Sequence, residues 1–149
     1  MYLTNNIQKK DIIVGIYGLG KIGLPLACAF IKEGIRVFGL DINEQRVNDV
    51  SQGICPSDLI NEPGVAELIK KGINEKLLEA TTDYKKCASE VNVHILIVPT
   101  LIDENRNIDL LVLKSVCENI AKYIKLCKQP RIISNTKFDN NYRRKLCNS

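Results

Sequence analysis

The chain has 149 residues, 45% of them hydrophobic and 26% charged, which is the make-up of a folded globular domain with one buried core. Its formal charge of +4 is gathered near the C-terminus, where Lys125, Lys128, Arg131, Lys137, Arg143, Arg144 and Lys145 stand against Asp139; the near-neutral body lacks the basic face that a nucleic acid needs. No apolar run is long enough to cross a membrane, and polar Met1 to Lys10 lacks the apolar centre of a signal peptide, which predicts a cytoplasmic location with no membrane or nucleic-acid partner.

Residues 1–10 read as a polar arm. Ile12 to Tyr17, apolar apart from Gly15, predicts a buried parallel strand. Lys21 to Glu33 predicts a helix with Ile22, Leu26, Ala29 and Phe30 at helical spacing, closed by Gly34. Pro25 lies early enough in it to be tolerated. Arg36 to Leu40 predicts a second strand that ends at Asp41, and Asn43 to Gln52 a helix closed by Gly53. Ile54 to Gly64, with Pro56 and Pro63, predicts a loop. Val65 to Lys71 follows as a helix stopped by Gly72, then Leu78 to Thr81 as a strand. Thr82 or Asp83 is placed to cap a helix over Tyr84 to Ser89. Val93 to Val98 predicts a buried strand ended by Pro99, Asp109 to Lys125 a long helix, and Arg131 to Ser134 a fifth strand. The alternation predicts an α/β fold, a doubly wound parallel sheet of Rossmann type, as a single domain over residues 11–136 with a basic polar tail at 137–149.

Gly18-Leu19-Gly20-Lys21-Ile22-Gly23 matches G-x-G-x-x-G. Alone the pattern is weak, but here it follows a predicted strand and opens a predicted helix. Gly18 permits the turn off the strand, Gly20 lets a diphosphate approach the backbone, and Gly23 lets the helix pack on the strand. The amides around Lys21 and Ile22 then face the phosphates. Asp41, at the end of the second strand, is placed to accept hydrogen bonds from the adenosine ribose and to repel a 2′-phosphate, which favours NAD over NADP. It equally suits a loop carboxylate that caps the helix beginning near Asn43. Arg46, one turn into that helix, either reaches the adenosine side of the cofactor or stands in solvent.

The six cysteines, at 28, 55, 87, 117, 127 and 147, form no C-x-x-C pair, and His94 is the single histidine. A zinc site is not expected, and the thiols read as small apolar residues. His94, between Val93 and Ile95 in a predicted strand, reads as a core histidine rather than a general base. No catalytic residue is assigned.

Gly18 to Ala27, Gly39-Leu40-Asp41-Ile42-Asn43 with Arg46-Val47, Glu62-Pro63-Gly64, Ala80-Thr81-Thr82-Asp83 and Val98-Pro99-Thr100 occur in that order. In these strings the chain resembles the family of UDP-glucose, GDP-mannose and UDP-N-acetylhexosamine dehydrogenases, over roughly residues 11–126. The resemblance implies oxidation of a sugar-nucleotide alcohol to a carboxylate with NAD. It implies cofactor contacts from Lys21 and Ile22 through backbone, from Asp41 and Arg46 at the adenosine ribose, and from Pro99 and Thr100 beside the cofactor, with Thr136 as a weaker match. Lys21 stands where the family has an aromatic residue, and Leu101 where it has a second proline. The family's catalytic cysteine lies in a later domain. The resemblance fades near Pro130, which predicts a chain truncated before that domain and acting with a separate substrate domain or a nucleotide sugar. A stand-alone, non-catalytic NAD-sensing module is the alternative. Oligomeric state is not legible.

Overall fold

The computed structural model describes residues 11–99, 101–102, 108–124 and 131–134. Five stretches rich in apolar and β-branched residues form parallel strands: β1 (Ile13–Tyr17), β2 (Arg36–Leu40), β3 (Leu78–Thr81), β4 (Val93–Leu96) and β7 (Arg131–Ser134). Their order across the sheet is β3-β2-β1-β4-β7. The central strand β1 pairs Ile16 with Gly39 of β2 and with Ile95 of β4. A pair of two-residue strands, β5 (Leu101–Ile102) and β6 (Ile108–Asp109), forms a separate antiparallel ribbon.

Helices cover both faces of the sheet. α1 (Gly23–Lys32), α2 (Glu44–Ser51) and α3 (Val65–Asn74) contribute to one core, in which Leu24, Ile31, Val50 and Ile69 close over Val14, Ile16 and Val37. α4 (Tyr84–Glu90) and α5 (Leu111–Tyr123) cover the other face, where Cys87, Leu113, Val116 and Ile120 pack with Tyr17, Phe38 and Leu40. The period-two alternation of β1 and β2 sends successive side chains to opposite cores. The doubly wound parallel sheet expected from the sequence is the observed one. No helix among the described residues is long and apolar enough to cross a membrane.

Several boundaries differ from expectation: α1 begins at Gly23 rather than Lys21, because the residues before it form the glycine turn, and α1, α2 and α4 shift by a residue at other ends. α3 runs through Gly72 to Asn74. Gly72 is there for closeness: a Cβ would come 2.9 Å from Leu78 Cβ and 3.0 Å from Ile31 Cδ1. The chain turns out of the helix beyond its cap Glu75, at Lys76, which takes a left-handed φ of 56°. Leu77 N–H donates to Gly72 O at 2.7 Å and Lys76 N–H to Ile73 O at 3.1 Å, the paired bonds of a Schellman turn. α5 starts at Leu111 rather than Asp109 because Ile108–Asp109 belongs to the ribbon, and it ends at Tyr123 rather than Lys125. β4 stops at Leu96, with one further ladder bond from Ile97 N–H to Tyr17 O at 2.8 Å. A 3-10 turn, Ser57–Leu59, interrupts the loop after α2.

Candidate cofactor site

From β1 the chain winds outward to β2 and β3, then returns to β4 on the other side of β1. That reversal opens a crevice at the carboxyl ends of β1 and β4, where open α/β sheets take ligands. A cleft of about 850 Å³ lies there. The glycine loop forms one wall, Asp41 and Ile42 the end of β2, and Tyr84, Leu111 and Val112 the side contributed by α4 and α5.

The three glycines do different work. Gly18 has a φ of 104°, and its N–H donates to Leu40 O at 2.7 Å; a side chain there would run into the Ile97 carbonyl. Gly23 sits against the carbonyl of Gly18, so a Cβ would overlap it. Both are demanded by backbone packing. Gly20 is not: a Cβ added to it meets nothing within 4 Å, and the residue lines the cleft. The room beside Gly20 is what a diphosphate pressed against the loop requires. No side-chain oxygen caps α1, and its first turn holds no acid, so the positive end of the helix is left for an anion. Lys21 and Ile22 also line the cleft.

Asp41 is half-buried and grips the loop. Its Oδ2 accepts from Leu19 N–H at 2.7 Å and its Oδ1 from Asn43 N–H at 2.9 Å. The helix cap itself belongs to Asn43, whose Oδ1 accepts from Arg46 N–H at 3.1 Å. Asp41 thus braces the turn while lining the cleft. Arg46 is not a solvated charge. Its Nη1 donates to Leu19 O at 3.1 Å, and its Nη2 to both Asp58 carboxylate oxygens at 3.1 Å. That hydrogen bond holds the Asp58 carboxyl below its usual range. Asp58 went unread in the sequence, where nothing in the loop over 54–64 marks it as a partner of α2.

Pro99 is exposed at the cleft rim. Thr100 and Thr136, the other two residues expected beside the cofactor, lie outside the described residues, as do the arm at 1–10 and the tail at 137–149. Tyr17 forms the cleft floor, stacked on Tyr84 with ring centroids 6.2 Å apart. Its hydroxyl shares a 2.8 Å hydrogen bond with His94 Nδ1. His94 is fully buried, its Nε2 has no hydrogen-bond partner among the described residues, and burial pushes its pKa down to about 4. It is a core histidine, half satisfied. Cys28, Cys87 and Cys117 are buried in the two cores. Burial pushes Cys28 and Cys117 up to about 11 and Cys87 up to about 12, which suppresses the thiolate a nucleophile needs. Among the described residues no cluster of histidine, cysteine and carboxylate side chains could hold a metal ion.

Residues 12–136 match the family model described as "UDP-glucose/GDP-mannose dehydrogenase family, NAD binding domain". The match passes Pro130 and takes in β7, beyond the extent that the sequence strings indicated. A UDP-N-acetyl-D-glucosamine 6-dehydrogenase of Pseudomonas aeruginosa is 40% identical over 116 residues, 78% of this chain and 25% of that protein. A UDP-N-acetyl-D-mannosamine dehydrogenase of Methanococcus maripaludis is 37% identical over 114 residues, 74% of this chain and 25% of that protein. A GDP-mannose dehydrogenase from Pseudomonas aeruginosa, solved as a ternary complex, superposes with a TM-score of 0.76 at 26% identity, over 90% of this chain and 30% of that one. The chain spans about a quarter of the length of these curated relatives.

Proposed function

Because this chain belongs to the UDP-glucose/GDP-mannose dehydrogenase family, as its NAD-binding domain, we propose that it is the cofactor half of a nucleotide-sugar 6-dehydrogenase. NAD is the cofactor of this domain, and once bound it supplies the hydride acceptor. The chain's own residues bind and orient it. Backbone N–H groups at Gly20, Lys21 and Ile22 face the diphosphate, with Gly18 and Gly23 setting the turn. Asp41 takes the adenosine ribose hydroxyls and repels a 2′-phosphate. Arg46 steadies the same loop through Leu19 O. Pro99, Thr100 and Thr136 flank the cofactor farther along the strand ends.

The substrate is a UDP- or GDP-sugar whose alcohol becomes a carboxylate, held by a substrate-binding part of the enzyme. No thiol among the described residues is disposed as a nucleophile, so the covalent step falls to that other part. The working compartment is the cytoplasm. The match to dehydrogenases over residues 12–136 does not favour a stand-alone sensing module. The unit that binds NAD extends over 11–136, with the flanking arm and tail outside it.

The observation that carries this reading is the unfilled space beside Gly20 at the opening of α1, with Asp41 at the end of the neighbouring strand. Calorimetric titration of the purified chain with NAD and NADP tests it. NAD should bind at least about tenfold more tightly, since a 2′-phosphate against a carboxylate adds like-charge repulsion. Equal affinities would remove the assignment of Asp41.

A further inference from the structure

Asp58 lies on the 3-10 turn between α2 and α3, outside every motif of the glycine-loop region. Its two oxygens both accept from Nη2 of Arg46, whose Nη1 is on Leu19 O, so both ends of the guanidinium are occupied. Arg46 in turn holds Leu19 O, while Asp41 holds Leu19 N–H. Arg46 and Asp41 therefore grip opposite ends of one residue of the glycine loop. Lys21, on the adjacent wall of the cleft, also acts on the charge of Asp58. Around the glycine loop there are thus two cations, Lys21 and Arg46, and two carboxylates, Asp41 and Asp58; Lys21 and Asp41 line the cleft itself, and the Arg46–Asp58 pair joins the loop through Leu19 O.

An arginine fork beside a ribose is the group that a phosphate seeks, through paired charge-assisted hydrogen bonds. Here the fork is already filled. Only the arginine side of the pair is sheltered, with 19% of the Arg46 side chain exposed against 34% of the Asp58 side chain, and Asp58 stands at the surface, so dissolved salt screens the pair.

We propose that Asp58 is a specificity-determining residue: by occupying the Arg46 fork and balancing Lys21, it denies the 2′-phosphate of NADP its counter-cations. Discrimination against the phosphorylated cofactor is then divided between repulsion at Asp41 and this withheld cation. The inference rests on the reading that the adenosine ribose lies at Asp41. Removing the carboxylate leaves two cations against Asp41 alone and frees Nη2 of Arg46 to donate to a phosphate, while Nη1 stays on Leu19 O.

The test titrates the full chain with NADH and NADPH, following nicotinamide fluorescence. It compares the natural protein with Asp58→Asn, Asp58→Ser and the double variant Asp58→Asn/Arg46→Gln, each checked for folding by circular dichroism. Both single variants should raise the ratio of NADPH to NADH affinity by about tenfold, the scale of a charge-assisted phosphate contact. The rise should shrink at high ionic strength and vanish in the double variant. An unchanged ratio in a folded single variant, with NADH still bound by the natural protein, overturns the role of Asp58 and leaves the cofactor reading standing. A natural protein that binds no NADH overturns both. If Asp58→Asn melts at markedly lower temperature, the Asp58→Ser ratio decides, and a ratio equal to that of the natural protein counts against the proposal.

Discussion

A side chain at Gly20 would enter open space within the cleft, whereas one at Gly23 would overlap the Gly18 carbonyl. The same kind of substitution should therefore separate two outcomes. Gly20→Val should keep the fold and its melting temperature close to that of the natural protein, yet lose NAD binding by calorimetry, because the added carbons take the diphosphate's place. Gly23→Val should cost about 3 kcal/mol or more in urea unfolding, because backbone rather than a flexible side chain must yield. Normal NAD affinity in Gly20→Val would reduce the loop to a structural turn. The turn of the glycine loop and the place of Asp41 at the end of β2 were legible in the sequence because both follow from local spacing. Arg46 was legible only as a choice between two roles, since its partner Asp58 is contributed by a loop that only the folded chain brings near. The orphaned Nε2 of His94 was not legible for the same reason: its setting depends on Tyr17, a strand away.

α1, α2 and α3 end in the same pair of backbone bonds, with Gly34, Gly53 and Lys76 in the left-handed position. Two of these residues are glycines and bear no penalty there. Lys76 bears about 1–2 kcal/mol for its Cβ, partly offset because glycine gives the unfolded chain more freedom. Lys76→Gly should accordingly stabilise the protein by about 0.5–1 kcal/mol in urea unfolding. A loss of stability would mean that the Lys76 side chain makes a contact worth more than the backbone strain. This position also explains why α3 was read short. Sequence punctuation offered Gly72 as a stop, but Gly72 answers to helix packing against Leu78 and Ile31, and the true stop carries no glycine. β2, β3 and β7 kept the bounds their residues predicted, since a short apolar run between breakers leaves little latitude. The β5–β6 ribbon had no counterpart in the sequence reading, because two-residue strands are too short to show a period.

Among the described residues one ionisable base, His94, is buried between the central strands. Its pKa is about 4 in the fold against an ordinary 6.5. A lowered folded pKa means that the unfolded chain takes up the proton first as the medium is acidified. Stability from this group is complete above about pH 6.5 and declines as the pH falls toward 4. At 1.36 kcal/mol per unit, the loss by pH 5 is about 2 kcal/mol. Urea unfolding at pH 7.5 and pH 5 should show it, and His94→Phe should lower the difference by that amount. Parallel pH profiles for the two proteins would place the acid sensitivity elsewhere. The doubly wound arrangement was legible from the alternation of apolar runs and helical stretches. The reach of the family match to residue 136 was not, because beyond Pro130 few residues repeat the quoted strings while the strand they build still pairs with β4.

The central place of β1 has a consequence for the order in which the molecule assembles. One core draws almost wholly on residues from Val14 to Leu78, with Ile95 as the late addition. The other needs α4 and α5 as well as the far faces of β1 and β2. A nascent chain can thus collapse its first half around short closures such as Val14 with Val37. The seam of β1 with β4, Val14 against Val93, waits for a much longer loop to close, and long closures are the slow ones. The cleft lies at that seam. NAD therefore cannot template the early steps of folding: it can only capture the domain after the last central strand has docked, and its binding energy acts against unfolding rather than in favour of nucleation.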